Sequence, residues 1–154
     1  MYPTQMFAQY QQNQVQATPE RLVVLLYDGL MRFLAQGRAA MRARDYEKQS
    51  ESITKAQRIL LELDCCLDLE AGGEIAANLR QIYRYCLDRL AYANHRDDAR
   101  VVEEVLQRVT ELREAWGEAE RLVKQQRAES QPEPPSPDAE QRPPATAPTL
   151  CASA

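Results

Sequence analysis

The stretch Thr18-Pro19-Glu20-Arg21-Leu22-Val23-Val24-Leu25-Leu26-Tyr27-Asp28-Gly29-Leu30-Met31-Arg32-Phe33-Leu34 opens like a helix and is apolar on nearly every side. Thr18 can accept a hydrogen bond from an orphan helix N–H, Pro19 suits the first helical position, and Glu20 lies at the positive end of the dipole. At about 100° per residue, Leu22, Leu26, Gly29 and Phe33 share one face, which Val23, Leu30 and Leu34 widen. Val24 and Met31 fall roughly 100° or more beyond the centre of that stripe, with Tyr27 between them, and make a second seam. Asp28 and Arg32, four apart, read as a surface pair that breaks the apolar run. The run is too short for the roughly 20 residues a helix needs to cross a bilayer. Two apolar seams on one helix call for more than one packing partner.

Outward from this helix, apolar residues recur at helical period three more times. A second helix is expected from Asp45, with Ile53, Ala56, Leu60, Leu63 and Leu67 spaced 3, 4, 3 and 4, ending at Gly72-Gly73. A third carries Ile75, Leu79, Ile82, Cys86, Leu90 and Ala93 on one face. Asp97 and Asp98 can cap a fourth, in which Val102, Val105, Val109, Leu112, Trp116, Ala119 and Val123 keep the spacing without a slip. The expected helices span about 19–43, 46–70, 74–95 and 98–126. Short links between long helices favour antiparallel neighbours, so the predicted fold is all-α, an up-down four-helix bundle over residues 18–127. Period-two alternation and hairpin turn pairs are missing, and a strand reading has no support.

The prolines separate the ends from the bundle. Pro3 and Pro19 precede or open the first helix and the other seven lie between Pro132 and Pro148, so nothing from Glu20 to Gln131 breaks a helix by ring geometry. Residues 128–154 mix Pro, Ala, Ser, Glu and Gln and read as a disordered tail. Residues 1–17 hold Met1, Met6, Phe7 and Tyr10 among many glutamines, and are expected to form a cap segment whose Met and aromatic side chains rest reversibly on the bundle.

Charge excludes little. The net charge is -4, most of it in the tail, so no face is forced to be basic and nucleic acid is not expected as a partner. The N-terminus has neither a charged n-region nor a long apolar h-region, and no secretory signal is expected. Cys65, Cys66, Cys86 and Cys151 form no CxxC pair and His95 cannot complete a metal quartet with them, so buried or half-buried reduced thiols are expected and no metal site. Tyr92, not a carboxylate, stands three before His95, which removes the di-iron bundle pattern. No catalytic residue and no cofactor is expected.

Some residues stand off the inward stripes: Val24, Tyr27 and Met31 on the first helix, Ile59 and Cys66 on the second, Tyr85 and Tyr92 on the third. As a set, Val24, Tyr27, Met31, Ile59, Tyr85 and Tyr92 are the candidate groove for an amphipathic partner.

The chain resembles the flagellar secretion chaperone FliS family over most of the span from Met1 to about Val123. The resemblance is carried by Thr18-Pro19 with Leu25-Leu26-Tyr27-Asp28-Gly29, by Lys55-Ala56, and by Leu67 through Leu79 (Leu-Asp-Leu-Glu-Ala-Gly-Gly-Glu-Ile-Ala-Ala-Asn-Leu). Tyr83-Arg84-Tyr85, Arg89-Leu90, Ala93-Asn94, Glu104-Val105 and Leu112-Arg113-Glu114-Ala115-Trp116 continue it in order. The resemblance implies a cytosolic four-helix chaperone that binds the disordered C-terminal segment of flagellin, prevents its premature polymerisation and delivers it to the type III export gate. It also implies that the Met1–Tyr10 region covers part of the client site. A second copy of the chain is a further candidate partner, and membrane insertion is not expected. The reading from a different class is a non-enzymatic helical adaptor or regulator that binds another protein's amphipathic helix.

Overall fold

A computed structural model describes residues 18–130, which form four helices: α1 (Pro19–Ala43), α2 (Tyr46–Cys65), α3 (Leu69–Arg96) and α4 (Ala99–Ser130). Each start has a chemical cause. The Thr18 hydroxyl accepts from the Arg21 N–H at 3.3 Å. Asp45 accepts from the Lys48 N–H, Asp68 from those of Glu70 and Ala71, and Asp98 from that of Arg100. α1 ends on Arg44 and α3 on Asp97, both in the left-handed conformation at φ 55°, which turns the chain back within two residues. The expected bundle is therefore present, and the described residues contain no strand.

α1 packs extensively on both α2 and α4, whereas α3 closes the bundle through thinner contacts with α2 and α4. Leu26, Leu30 and Leu34 of α1 meet Ile53, Ala56, Leu60 and Leu63 of α2 and Val102, Val105 and Val109 of α4 in one continuous buried cluster. At about 25 cal/mol per Å² this burial is the dominant stabilising term. Charged pairs then set the register of α4 on α1. Glu20 meets Arg127, Arg21 meets Glu120, Asp28 meets Arg113 at 2.8 Å, and Arg38 meets Glu103, in antiparallel order. Asp28 thus pairs across the bundle rather than with Arg32, whose guanidinium lies over the Phe33 ring instead.

Two expected boundaries move. α2 stops at Cys65 rather than near residue 70, because Asp68 already caps the next helix. Gly72-Gly73 then lies inside α3, where Gly73 takes φ 50° and ψ -127° and kinks it, a conformation costly for any residue with a Cβ. The inward stripe of α3 is Ala76, Tyr83, Cys86, Leu90 and Ala93, with Leu79 half-buried between. Ile75, expected inward, is 73% exposed, and Ile82 is only half-buried. Cys86, Leu90 and Ala93 hold as expected, whereas one residue's step of about 100° puts Tyr83 in the core position expected for Ile82 and Ala76 in that expected for Ile75. α4 continues to Ser130, past the expected end at 126.

The expected cap residues Met1, Met6, Phe7 and Tyr10 and the segment from residue 131 onward lie outside the described residues. Among the described residues, no helix is long and apolar enough to cross a membrane.

Candidate partner-binding surface

The six residues singled out for a groove divide sharply. Tyr27 and Ile59 lie wholly inside the core cluster and Val24 is also buried, so none of the three offers surface for a partner. Met31 is half-buried against the core. Tyr85 and Tyr92 are open, at 41% and 48%. The seam drawn through Val24, Tyr27 and Met31 is corrected because α1 is flanked on both sides: a helix seated between α2 and α4 buries much more than one stripe.

Tyr27 has its own reason to be inside. Its hydroxyl lies 2.5 Å from that of Tyr83, joining α1 to α3, with the Trp116 indole also beside the Tyr27 oxygen. Burial pushes both phenols above their ordinary range.

The outer face of α3 carries the open apolar surface. Tyr85, Arg89, Tyr92 and Arg96 recur at spacings of 4, 3 and 4 on a side of α3 turned away from the core, with Ile82 half-buried at its edge and Ile75 exposed near the start of the helix. The Arg89 guanidinium lies 5.4 Å from the Tyr92 ring centre, and that of Arg108, from α4, lies 4.9 Å from Tyr85. Glu104 holds the cluster together: it accepts from the Tyr85 hydroxyl at 2.6 Å and from Arg89 at 3.0 Å. Those donors hold the Glu104 carboxyl below its usual range, the Tyr85 contribution being the largest, and the same bond raises the Tyr85 phenol. Tyrosine and arginine are the side chains most enriched where proteins bind one another, because each presents a broad rigid face with polar ends.

A second exposed apolar group gathers at the end where α2 meets α3, with Leu61 on α2 and Leu69 at the start of α3; Leu122 of α4 is exposed as well. Cys65 and Cys66 are exposed here rather than half-buried. Cys86 is buried, and desolvation pushes its thiol to about 11, which leaves it protonated and unreactive at neutral pH. A shallow cavity of about 550 Å³ lies between the C-terminal half of α1 and the start of α2, floored by Ala39, Ala40 and Ala43 and edged by Asp45, Lys48, Glu51 and Lys55. Among the described residues no three His, Cys, Asp or Glu side chains are placed to hold a metal ion.

Sequence reasoning missed Ile75, Leu61, Leu69 and Leu122 as surface. Helical periodicity gave no signal for Ile75, which lies 18 residues, five full turns, before the buried Ala93 and so on the same angular side of α3.

An all-α bundle with a buried core and an exposed aromatic, arginine-flanked stripe on one outer helix defines a helical-bundle protein with a candidate interaction surface. The family model described as "Flagellar protein FliS" matches residues 3–123, and the chain belongs to that family. It is 36% identical over 114 residues to the flagellar secretion chaperone FliS of Bacillus subtilis, covering 73% of this chain and 84% of that one. It is also 36% identical over 121 residues to the flagellar secretion chaperone FliSB of Pseudomonas aeruginosa, covering 75% and 96%. The corresponding chaperone of Vibrio cholerae is 35% identical over 100 residues, 65% of this chain and 74% of that one. Membership places the chain among flagellar export chaperones, a role that is not enzymatic.

Proposed function

We propose that the chain is a cytoplasmic export chaperone that binds the C-terminal segment of flagellin, prevents its premature polymerisation and hands it to the flagellar type III export gate. The observation that carries the choice of surface is the stripe on α3, which exposes Tyr85 and Tyr92 although the bundle behind it is already fully packed. Client contacts are assigned to Met31, Tyr85 and Tyr92. Val24, Tyr27 and Ile59 contribute from beneath, by fixing the positions of α1 and α2.

The chemistry of the client explains the need. A filament-forming terminus is amphipathic, and its apolar side is an aggregation hazard until other subunits cover it. Wrapping it in extended form on the outside of a bundle buries that side without building a compact fold that export would have to undo. Ordering a flexible client costs several kcal/mol, so the contact must be broad. Met1, Met6, Phe7 and Tyr10 serve as a displaceable cover of part of the client site.

Isothermal titration of the full chain with a flagellin C-terminal peptide tests this. A one-to-one complex with a clearly negative heat-capacity change is expected. A heat-capacity change near zero, or retention of an unrelated helical protein in place of flagellin, would instead favour an adaptor. Deleting residues 1–15 should tighten the binding.

A further inference from the structure

The family match stops at residue 123, and the 24 residues after Ser130 contain seven prolines and three acidic side chains against one basic. We propose that this proline-rich segment, residues 131–154, folds back on its own bundle and docks on the outer stripe of α3, with Pro143-Pro144 against Tyr92 and its acidic residues beside Arg108 and Tyr85.

Reach and direction fit. α3 runs up the bundle and α4 runs down, so the segment leaves Ser130 at the end where α3 begins. From Ser130 back to Arg108 is 22 residues of helix, about 33 Å at 1.5 Å per residue. A polyproline II chain advances about 3.1 Å per residue and covers that distance in about 11 residues. Asp138 and Glu140 then arrive beside Arg108 and Tyr85, and Pro143-Pro144 arrive beside Tyr92.

The chemistry fits as well. Proline rings pack on flat aromatic faces, and a preformed polyproline II chain loses little entropy on docking. Prolines carry no N–H, so their backbone offers only carbonyl acceptors, and the face is rich in donors: Arg89 and Arg96 of α3 and Arg108 of α4, with Asp88 at its edge and Glu104 already engaged by Tyr85, Arg89 and Arg108. An acceptor-rich segment of net negative charge is matched to that face. A helix of the client could use the same stripe, so the docked segment also acts as a tethered competitor. That consequence rests on the proposed client role, whereas the docking does not.

The test is nuclear magnetic resonance of the full chain, comparing the natural sequence with the tail double variant Asp138→Arg, Glu140→Arg. Both changes lie outside the bundle and leave its folding untouched. The backbone amide signals of Tyr85, Arg89 and Tyr92 are expected to shift while those of Leu30 and Ile59 stay in place, and the difference is expected to survive tenfold dilution. Unchanged α3 signals would overturn the docking. Signals that change with dilution would also overturn it, pointing to a second copy on the stripe. Titrating both chains with the flagellin peptide separates the two ideas. If the strap covers the stripe two-thirds of the time, the charge-reversed chain binds about threefold more tightly. Equal affinities would remove the competition, and no binding by either chain would remove the client role, with the docking judged by the amide signals alone.

Discussion

The hydroxyls of Tyr27 and Tyr83 meet at 2.5 Å in the interior, and this contact is the polar link between α1 and α3. The Tyr83 oxygen alone would be a buried polar atom deprived of its partner, and the Tyr27 oxygen would keep only the Trp116 indole beside it. Tyr27→Phe or Tyr83→Phe is therefore expected to cost about 1–2 kcal/mol, and the double change less than the sum of the two, because it removes both halves of the bond. Chemical denaturation of the three variants measures this. Both phenols titrate above their ordinary value in the folded chain, so the unfolded chain releases these protons first. Stability must then fall as pH rises past about 10, and it should fall less steeply in Tyr83→Phe.

Glu62 poses the opposite case. It is buried on α2 with no hydrogen-bond or ionic partner among the described residues, and burial raises its carboxyl above the usual range. A raised acid binds its proton more tightly when folded. The cost of holding it charged is absent below the ordinary carboxylate range and grows as pH rises from that range through the folded value. Glu62→Gln is expected to raise the melting temperature at pH 7 by a few degrees, about 1 kcal/mol, and to have little effect near pH 4. A lower melting temperature at pH 7 would mean that the carboxylate has a partner.

Gly37 decides how closely α1 and α2 approach. A Cβ built there would lie 2.7 Å from the Cδ1 and 3.2 Å from the Cγ1 of Ile53, a fully buried side chain, and 3.6 Å from the Cβ of Ser52. Alanine is the better helix former by about 1 kcal/mol, but Ile53 is walled in by the core and cannot step aside cheaply. Gly37→Ala is expected to destabilise by about 1–2 kcal/mol net of that gain, read from the denaturation midpoint. Adding Ile53→Val should recover part of the loss.

Much of the bundle was legible because two kinds of signal agreed. Thr18-Pro19, Asp45 and Asp98 start helices by hydrogen bonds that depend only on local sequence, and the 3-4 spacing of α4 survives unchanged from Val102 to Val109 as buried positions. The α2–α3 link was misread for a local reason. Gly72-Gly73 looks like a stop, yet Asp68 four residues earlier satisfies the first N–H groups of a new helix, and glycine tolerates the kink that follows. The candidate groove was only partly legible, because angular position tells which residues share a side and not how many helices cover that side. Val24 and Tyr85 both stand off a core stripe; α1 is packed extensively by its two neighbours and α3 only thinly by its own. Tyr83 was invisible as core because a phenol is half polar, and only its partner on another helix makes its burial acceptable.

That difference between a covered and an open helix supplies the sharpest test of where a client sits. Val24→Glu puts an unpaired carboxylate in a buried position, and the expected result is loss of the helical signal at room temperature or a destabilisation above about 4 kcal/mol. Tyr92→Ala removes an exposed ring that contributes little to folding, so circular dichroism and melting temperature should hold within about 0.5 kcal/mol of the natural chain. The flagellin peptide should nevertheless bind Tyr92→Ala at least about tenfold more weakly, since truncation of a central aromatic at an interface commonly costs 2 kcal/mol or so. Tyr85→Ala is expected to weaken binding further, because it also frees Arg108 and withdraws a donor from Glu104. Wild-type affinity in both tyrosine variants would move the client off α3, leaving Leu61, Leu69 and Leu122 as the next apolar surface to substitute.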